Sequence, residues 1–307
     1  MSADDRLLEE LRPRAFAIAY RMLGSVSEAE DIVQEGLLRL HQALERGEEI
    51  SSPGAYLATV VTRLGIDELR SARVRRERYV GEWMPEPLLT DDTEDPGRHA
   101  ETADSLSIAF LLLLESLSPE QRAVFLLREV FDYPYERIAG VVGKSEDATR
   151  QIAVRARRHV DEGRPRFEVD RERRDELADR FFAAAQKGEL AGLESLLTED
   201  VELHGDGGGK APALARPVYG RERVARTLSA WLNAGDRFGG FEMERIEVNG
   251  QPGALARTHD GLVISVLALD IAEGQVQGVR SIVNPDKLGH LGPLADLGEL
   301  LRGKPAR

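Results

Sequence analysis

Two hydrophobic periods share this chain, and the change from one to the other limits its fold more than any other feature. In SVSEAEDIVQEGLLRLHQALERG, Val33, Leu37, Leu40 and Leu44 return at helical spacing and make one apolar stripe. From Phe241 onward the apolar residues run in strand-like blocks parted by turn signals at NGQPG and AEGQ. At 307 residues, with about 150 to a typical domain, the chain has room for two or three cores. The expectation is a multidomain protein: two all-α units, then an α+β unit with helices first and an antiparallel sheet after them.

Residues 4–78 read as helices throughout. Glu28, Asp31 and Glu35 fall opposite the apolar stripe, as either a docking face for a basic partner or a plain solvated face. After the break at Ser51, Ser52, Pro53 and Gly54, AYLATVVTRLGIDELRSARVRRE continues as one long helix. Leu57, Val61 and Leu64 mark its core face; Thr59, Thr62, Arg63, Ile66, Arg70 and Arg73 are expected on the other. Helix returns over 106–160, where Ser118 is placed to cap a helix that has Pro119 at its first position.

PYERIAGVVG and SEDATRQIAVRARRHV read as a helix-turn-helix: Ala139 permits close contact, Gly143 turns the chain and Ser145 can cap the second helix. On that helix Ala148, Ile152, Ala156 and His159 are expected inside. Arg150, Gln151, Val154, Arg157 and Arg158 are expected outside, the groups a major-groove reader needs; a solvated basic helix is the plainer alternative.

The net charge of -13 argues against nucleic acid as a partner until its distribution is considered. Residues 63–78 hold six arginines against three acids, and residues 79–105 hold eight acids against Arg98 alone. The acidic segment, with DDTEDPGRHAETADS at its centre, reads as a flexible linker that can discourage DNA binding by the free chain. Its first nine residues, YVGEWMPEP, are stiff and apolar enough to lie on a surface. With no cysteine there is no disulfide or thiolate zinc site, and neither a signal segment nor a spanning apolar run is visible. The expected location is cytoplasmic, with no membrane contact.

SEAEDIVQEGLLRLHQAL, AYLATVVTRLGIDELRSARVRRE and LSPEQRAVFLLREVFDYPYERIAGVVGKSEDATRQIAVRARRHV resemble regions two and four of extracytoplasmic-function (ECF) sigma factors, in order. Departures are Thr149, where such helices usually carry an aliphatic residue, and Lys144, where the turn is usually apolar. The resemblance implies that Glu28, Asp31, Gln34 and Glu35 bind core RNA polymerase, through its β′ and β subunits. It implies that Thr62, Arg63, Asp67, Arg70, Arg73 and Arg76 serve the minus-ten element of promoter DNA, and that Arg150, Gln151, Val154, Arg155, Arg157 and Arg158 serve the minus-thirty-five element.

The last unit resembles a SnoaL-like cone domain. ECF sigma factors of the SigJ type carry such an extension, with three signatures that stand here as YVGEWMPEP, DGGGK and NPDKL. The implied interdomain regulatory residues are Tyr79, Trp83, Pro85, Asp206, Gly207, Gly208, Gly209, Lys210, Asn284, Pro285, Asp286, Lys287 and Leu288. The expected division is 1–78, region two; 79–105, linker; 106–163, region four; 171–290, SnoaL-like regulatory domain; 291–307, tail.

Blander readings stand beside these. DGGGK lacks the glycine gap and the Ser or Thr of a phosphate loop, and as a turn it is complete. Asn284, Pro285 and Asp286 form a sufficient helix cap. His204, Asp206, His259 and Asp270 are candidates for acid/base work in a cone, but scattered polar groups in a sheet are usually structural, so no enzyme, metal or cofactor is expected. The expected function is promoter recognition as an alternative sigma factor, regulated in cis by its last domain, with room for an unidentified small ligand in the cone. The rivals are a SnoaL-like cyclase or hydrolase with a DNA-binding appendage, and a ligand-responsive helix-turn-helix repressor.

Overall fold

The computed structural model describes residues 3–76, 78–90, 105–163, 170–235 and 240–302. The acidic stretch 91–104, the side chains of Arg73 and Arg75, and tail residues 303–307 lie outside the described residues. The chain forms two compact units, Met1–Arg78 with Phe110–Arg164, and Tyr79–Ala109 with Pro165–Arg307. YVGEWMPEP therefore belongs to the C-terminal unit.

The first unit is helical: α1 (Ala3–Leu23), α2 (Val26–Glu45), α3 (Pro53–Arg76), α4 (Ile108–Leu114), α5 (Pro119–Phe125, continued as a π-helical turn over Leu126–Val130), α6 (Tyr135–Val142) and α7 (Glu146–Gly163). Ser25 caps α2, its Oγ accepting from the Glu28 amide. The buried line of α2 is Ala29, Val33, Gly36, Leu40 and Ala43, with Leu37 and Leu44 at its edge. A Cβ on Gly36 would stand 3.0 Å from the Leu57 and Val61 side chains, so the close approach of α2 to α3 depends on glycine.

Leu57 and Val61 are buried as expected, but Thr62 and Ile66 are buried too and do not share the exposed face with Arg63. The physical reason is that α3 is covered twice, by α1 and α2 and also by α5 and α6. The Thr62 hydroxyl is satisfied inside, donating to the Ala58 carbonyl at 2.7 Å.

Ser118 and Gln121 form a reciprocal capping box at the start of α5, with Pro119 at the first position. Gly143 (φ +67°) ends α6 in the left-handed region, and Ser145 Oγ accepts from the Ala148 amide to open α7. The inner face of α7 is Thr149, Ile152, Ala153, Ala156 and Val160. His159, expected inside, is exposed beside Ser116, because Val160 takes the core position at that turn. Thr149 fits where an aliphatic residue was expected because its hydroxyl donates to the Ser145 carbonyl at 2.9 Å.

The second unit contains α8 (Arg171–Gln186), α9 (Leu190–Leu196), α10 (Arg221–Gly235), α11 (Pro285–Leu288) and α12 (Leu297–Leu301) around a seven-stranded sheet. Its strands are β1 (Leu89–Thr90), β2 (Leu197–Asp206), β3 (Val218–Tyr219), β4 (Glu242–Val248), β5 (Gln251–Arg257), β6 (Val263–Ala272) and β7 (Gln275–Ile282), in the order β1-β4-β5-β6-β7-β2-β3. Two-residue turns at Asn249-Gly250 and Glu273-Gly274, all four at positive φ, join β4 to β5 and β6 to β7.

The sheet is mixed rather than purely antiparallel: β2 pairs parallel with β7, which the chain reaches only after α10 and the antiparallel strands β4, β5 and β6. Leu177, Phe181 and Phe182 of α8 and Leu228 of α10 pack on Leu203, Leu269 and Val279. The segment read as linker supplies edge strand β1, with Leu89 opposite Val248 and Thr90 opposite Glu247.

Candidate functional site

Along β2 the side chains alternate: Leu203 and Gly205 turn toward the helices, His204 and Asp206 toward the other face of the sheet. On that other face Asp206 is completely buried and gathers the YVGEWMPEP strip. Its Oδ1 accepts from the Tyr79 hydroxyl at 2.5 Å and the Gly208 amide at 3.0 Å. Its Oδ2 accepts from the Met84 amide at 2.8 Å and Lys287 Nζ at 2.6 Å. Four donors on one carboxylate leave it well satisfied in spite of its burial.

Lys287 also donates to the Met84 carbonyl and lies 4.8 Å from the Tyr79 ring centroid and 4.6 Å from that of Trp83. Asn284 caps α11 through Oδ1 and donates from Nδ2 to the Tyr79 oxygen at 2.7 Å. Burial, and then the bond to Asp206, push the Tyr79 hydroxyl above its ordinary pKa.

DGGGK closes the clamp from the side. Gly208 and Gly209 (φ +58° and +71°) fold the turn under Asp206, and a Cβ on Gly209 would come within 2.9 Å of Val80 Cβ. Lys210 Nζ reaches both carboxylate oxygens of Asp286, at 2.6 and 2.8 Å. Pro285 and Leu288 complete α11. Pro85 is buried within the strip and Trp83 half-buried. Residues that sequence alone did not single out extend the clasp. Glu82 bonds His204 at 2.6 Å, and His290 reaches the Pro87 carbonyl at 2.9 Å. Asn249 accepts from the Leu88 amide and donates to the Leu106 carbonyl, holding both sides of the 91–104 stretch. Its NG turn was legible; this second use of its amide was not.

The four acid/base candidates do not meet. His204 is held between Glu82 and Glu202, Asp270 pairs with Arg280 at 3.0 Å, and His259 is exposed beside Glu242. None of them, nor Asp206, lines the cavity between the sheet and its helices. Among the described residues no cluster of three His, Asp or Glu side chains is placed to hold a metal ion, and no helix is long and apolar enough to cross a membrane.

In the first unit, Asp31, Gln34 and Glu35 are exposed on α2 beside Leu38, with Glu28 half-buried in the first turn. On α3, Arg63 donates to the Gly140 and Val141 carbonyls at 2.8 and 3.0 Å, a cation on the C-terminus of α6. Arg70 bonds Asp67 at 3.1 Å and Glu120 at 2.6 Å; that bond comes first in raising the Arg70 pKa and lowering that of Glu120. Arg76 turns inward, against expectation, to Glu115 and the Leu23 carbonyl. It is drawn there because Glu115 is the carboxylate facing both Arg76 and the buried Arg122. On α7, Arg150, Gln151, Val154, Arg155, Arg157 and Arg158 are all exposed. Tyr135 supports Arg150, whose guanidinium lies 4.5 Å from the ring centroid.

Residues 7–75 match Sigma-70 region 2 and residues 107–160 match Sigma-70 region 4. The chain is 38% identical over 290 residues to the ECF RNA polymerase sigma factor SigJ of Mycobacterium tuberculosis, covering 91% of each. The chain belongs to the ECF RNA polymerase sigma factors. Another relative is the probable ECF sigma factor SigI of the same species, 32% identical over 92% of each chain. The crystal structure of M. tuberculosis SigJ superposes with a TM-score of 0.73 at 35% identity, over 94% of this chain and 98% of that one. This ECF sigma factor, which directs transcription initiation, thus has its region 2 in α1–α3, its region 4 in α4–α7 and a further sheet-containing domain after them in the sequence.

Proposed function

We propose that the C-terminal unit regulates this sigma factor in cis, with the Tyr79–Thr90 strip as the part of the chain through which it acts. The observation that carries the reading is the buried Asp206, which accepts from Tyr79 and Met84 of a strip that leads directly out of region 2, while Gly208 and Lys287 hold the same carboxylate in place. A strip bonded in this way limits where the regions before and after it can go, which is what a built-in regulator requires.

In the same reading Asp31, Gln34 and Glu35, with Glu28 behind them, dock the β′ clamp of core RNA polymerase, and core polymerase is the partner through both β′ and β. Arg63, Asp67, Arg70 and Arg73 serve the minus-ten element, while the exposed face of α7 reads the minus-thirty-five element by arginine contacts to guanine edges and phosphates. Thr62 and Arg76 support α3 from inside. The bonds of Arg63 and Arg70 to α6 and α5 must break before those arginines take up DNA. The protein acts in the cytoplasm without cofactor or catalysis of its own; the scatter of His204, Asp270 and His259 supports the non-enzymatic reading. A small ligand in the domain's cavity is compatible with this role.

The test is transcription in vitro with core polymerase, comparing the full chain with one ending before residue 171. An altered promoter-specific transcript level is expected; equal levels would remove cis-regulation. Tight duplex binding without polymerase would favour a free-standing repressor instead.

A further inference from the structure

Inside the second unit a cavity of about 270 Å³ lies between the sheet and helices α8 and α10. Its wall includes Phe182, Leu214, Trp231, Phe241, Met243 and Leu267, and α12 adds Leu297 and Leu301. Among the described residues, none that lines it carries a charge. The side-chain polar groups on this wall are the hydroxyls of Ser265 on β6 and Ser281 on β7 and the indole N–H of Trp231 on α10. An ionised guest would lose its water with nothing to replace it, whereas an apolar guest with a hydroxyl or carbonyl at one end would match both parts of the wall.

The cavity stands back to back with the clamp. Gly205, Ser281 and Val283 line it, and the next residues along the chain at two of these points, Asp206 and Asn284, hold Tyr79 on the opposite face. The amides of Val283 and Asn284 donate to the Asp206 carbonyl at 2.9 and 3.0 Å, so the ends of β2 and β7 move as one piece. A guest that presses on Gly205 or Val283 therefore acts on the residues that fix the strip.

We propose that this cavity binds a neutral, largely apolar small molecule, and that occupancy is passed to the Tyr79–Thr90 strip through the joined ends of β2 and β7. Only the consequence of this coupling for transcription rests on the cis-regulation reading; the binding and the coupling do not.

The two tryptophans separate the halves, since Trp231 lines the cavity and Trp83 lies in the strip. In full-length Trp83→Phe, titration with the neutral fluorophore phenylnaphthylamine should quench Trp231 saturably while the probe brightens. Ser265→Leu, which fills the wall, should weaken binding by about tenfold or more; Ala256→Val serves as a second filling variant, and circular dichroism checks that each is folded. No saturable binding to the folded chain, or binding untouched by both fillings, overturns the site. In Trp231→Phe, saturating probe should shift Trp83 emission and change the rate of proteolysis within 79–105; unchanged values overturn the coupling. If the probe binds and moves Trp83 while truncation leaves transcription unchanged, cis-regulation fails and the site with its coupling stands.

Discussion

Two buried ion clusters, one in each unit, are built to opposite rules. In the second unit Asp206 meets Lys287, one negative charge against one positive, and four donors satisfy the carboxylate. In the first unit Glu115 faces two guanidiniums, of Arg76 and Arg122. Arg122 Nε donates to the Arg21 carbonyl, but its Nη2 finds no partner among the described residues. Burial pulls the Arg122 guanidinium down to about 9 and that of Arg21 to about 10. The balanced cluster acts as a lock, because every change to it leaves a buried group bare. The other cluster keeps a guanidinium nitrogen of Arg122 away from water without a partner among the described residues, so part of it opposes the packing that surrounds it.

The largest effect is therefore expected at the lock. Asp206→Ala takes from the buried Lys287 its carboxylate partner and should cost about 3–5 kcal/mol, read as a lower denaturant midpoint of Trp83 emission in a Trp231→Phe background. Asp206→Leu combined with Lys287→Met should recover much of that loss, since neither charge is then buried. A loss under about 1 kcal/mol for Asp206→Ala, the value of a surface pair, would mean that the strip is held elsewhere.

Arg122→Met breaks the comparison more directly. Lys287→Met strips a satisfied partner from Asp206 and should destabilise strongly. Arg122→Met removes an unsatisfied guanidinium and leaves Glu115 paired with Arg76, so it should be neutral or stabilising by about 1–4 kcal/mol. Thermal melting of the two variants decides it: equal losses would show that the clusters follow one rule after all.

The parts of this architecture that could be read in the sequence are those whose cause is local. Ser118 with Gln121, Gly143 and the Asn284-Pro285 cap each act within four residues, and all stand where the spacing puts them. The strip is different: Tyr79 lies 127 residues from Asp206 and 205 from Asn284, and no periodicity links them. It was reached through resemblance to sigma factors carrying the three signatures. The second covering of α3, which buries Thr62 and Ile66, was hidden because a helical wheel shows one apolar side and not how many neighbours will use it. The parallel pairing of β2 with β7 was hidden for the same reason. The Glu115 cluster gave no signal at all, as each arginine looks like surface until its partner is known.

A smaller effect sharpens the account of the lock. The Tyr79 hydroxyl is raised above its ordinary value of 10, by burial first and by Asp206 second. The docked strip keeps a proton that the released strip gives up, so this stabilisation is whole below about pH 10 and fades as pH rises beyond it. Trp83 emission in Trp231→Phe should report loosening above that pH, and Tyr79→Phe, already weaker, should flatten the profile. A profile that does not change with Tyr79→Phe would assign the alkaline transition to another group.

The smallest effect is expected where the first unit's ion pairs reach water. Arg70 is more than half exposed and Glu120 about a third, so Glu120→Gln should cost only about 0.2–1 kcal/mol in thermal unfolding. The same variant frees Arg70 from α5, and the affinity of the free chain for single-stranded DNA should rise by no more than about fivefold, the equivalent of that energy. Salt should erase the difference, since exposed charges are screened within about 8–10 Å. A rise well beyond fivefold would show that the Arg70–Glu120 clasp restrains the α3 face more strongly than an exposed pair can.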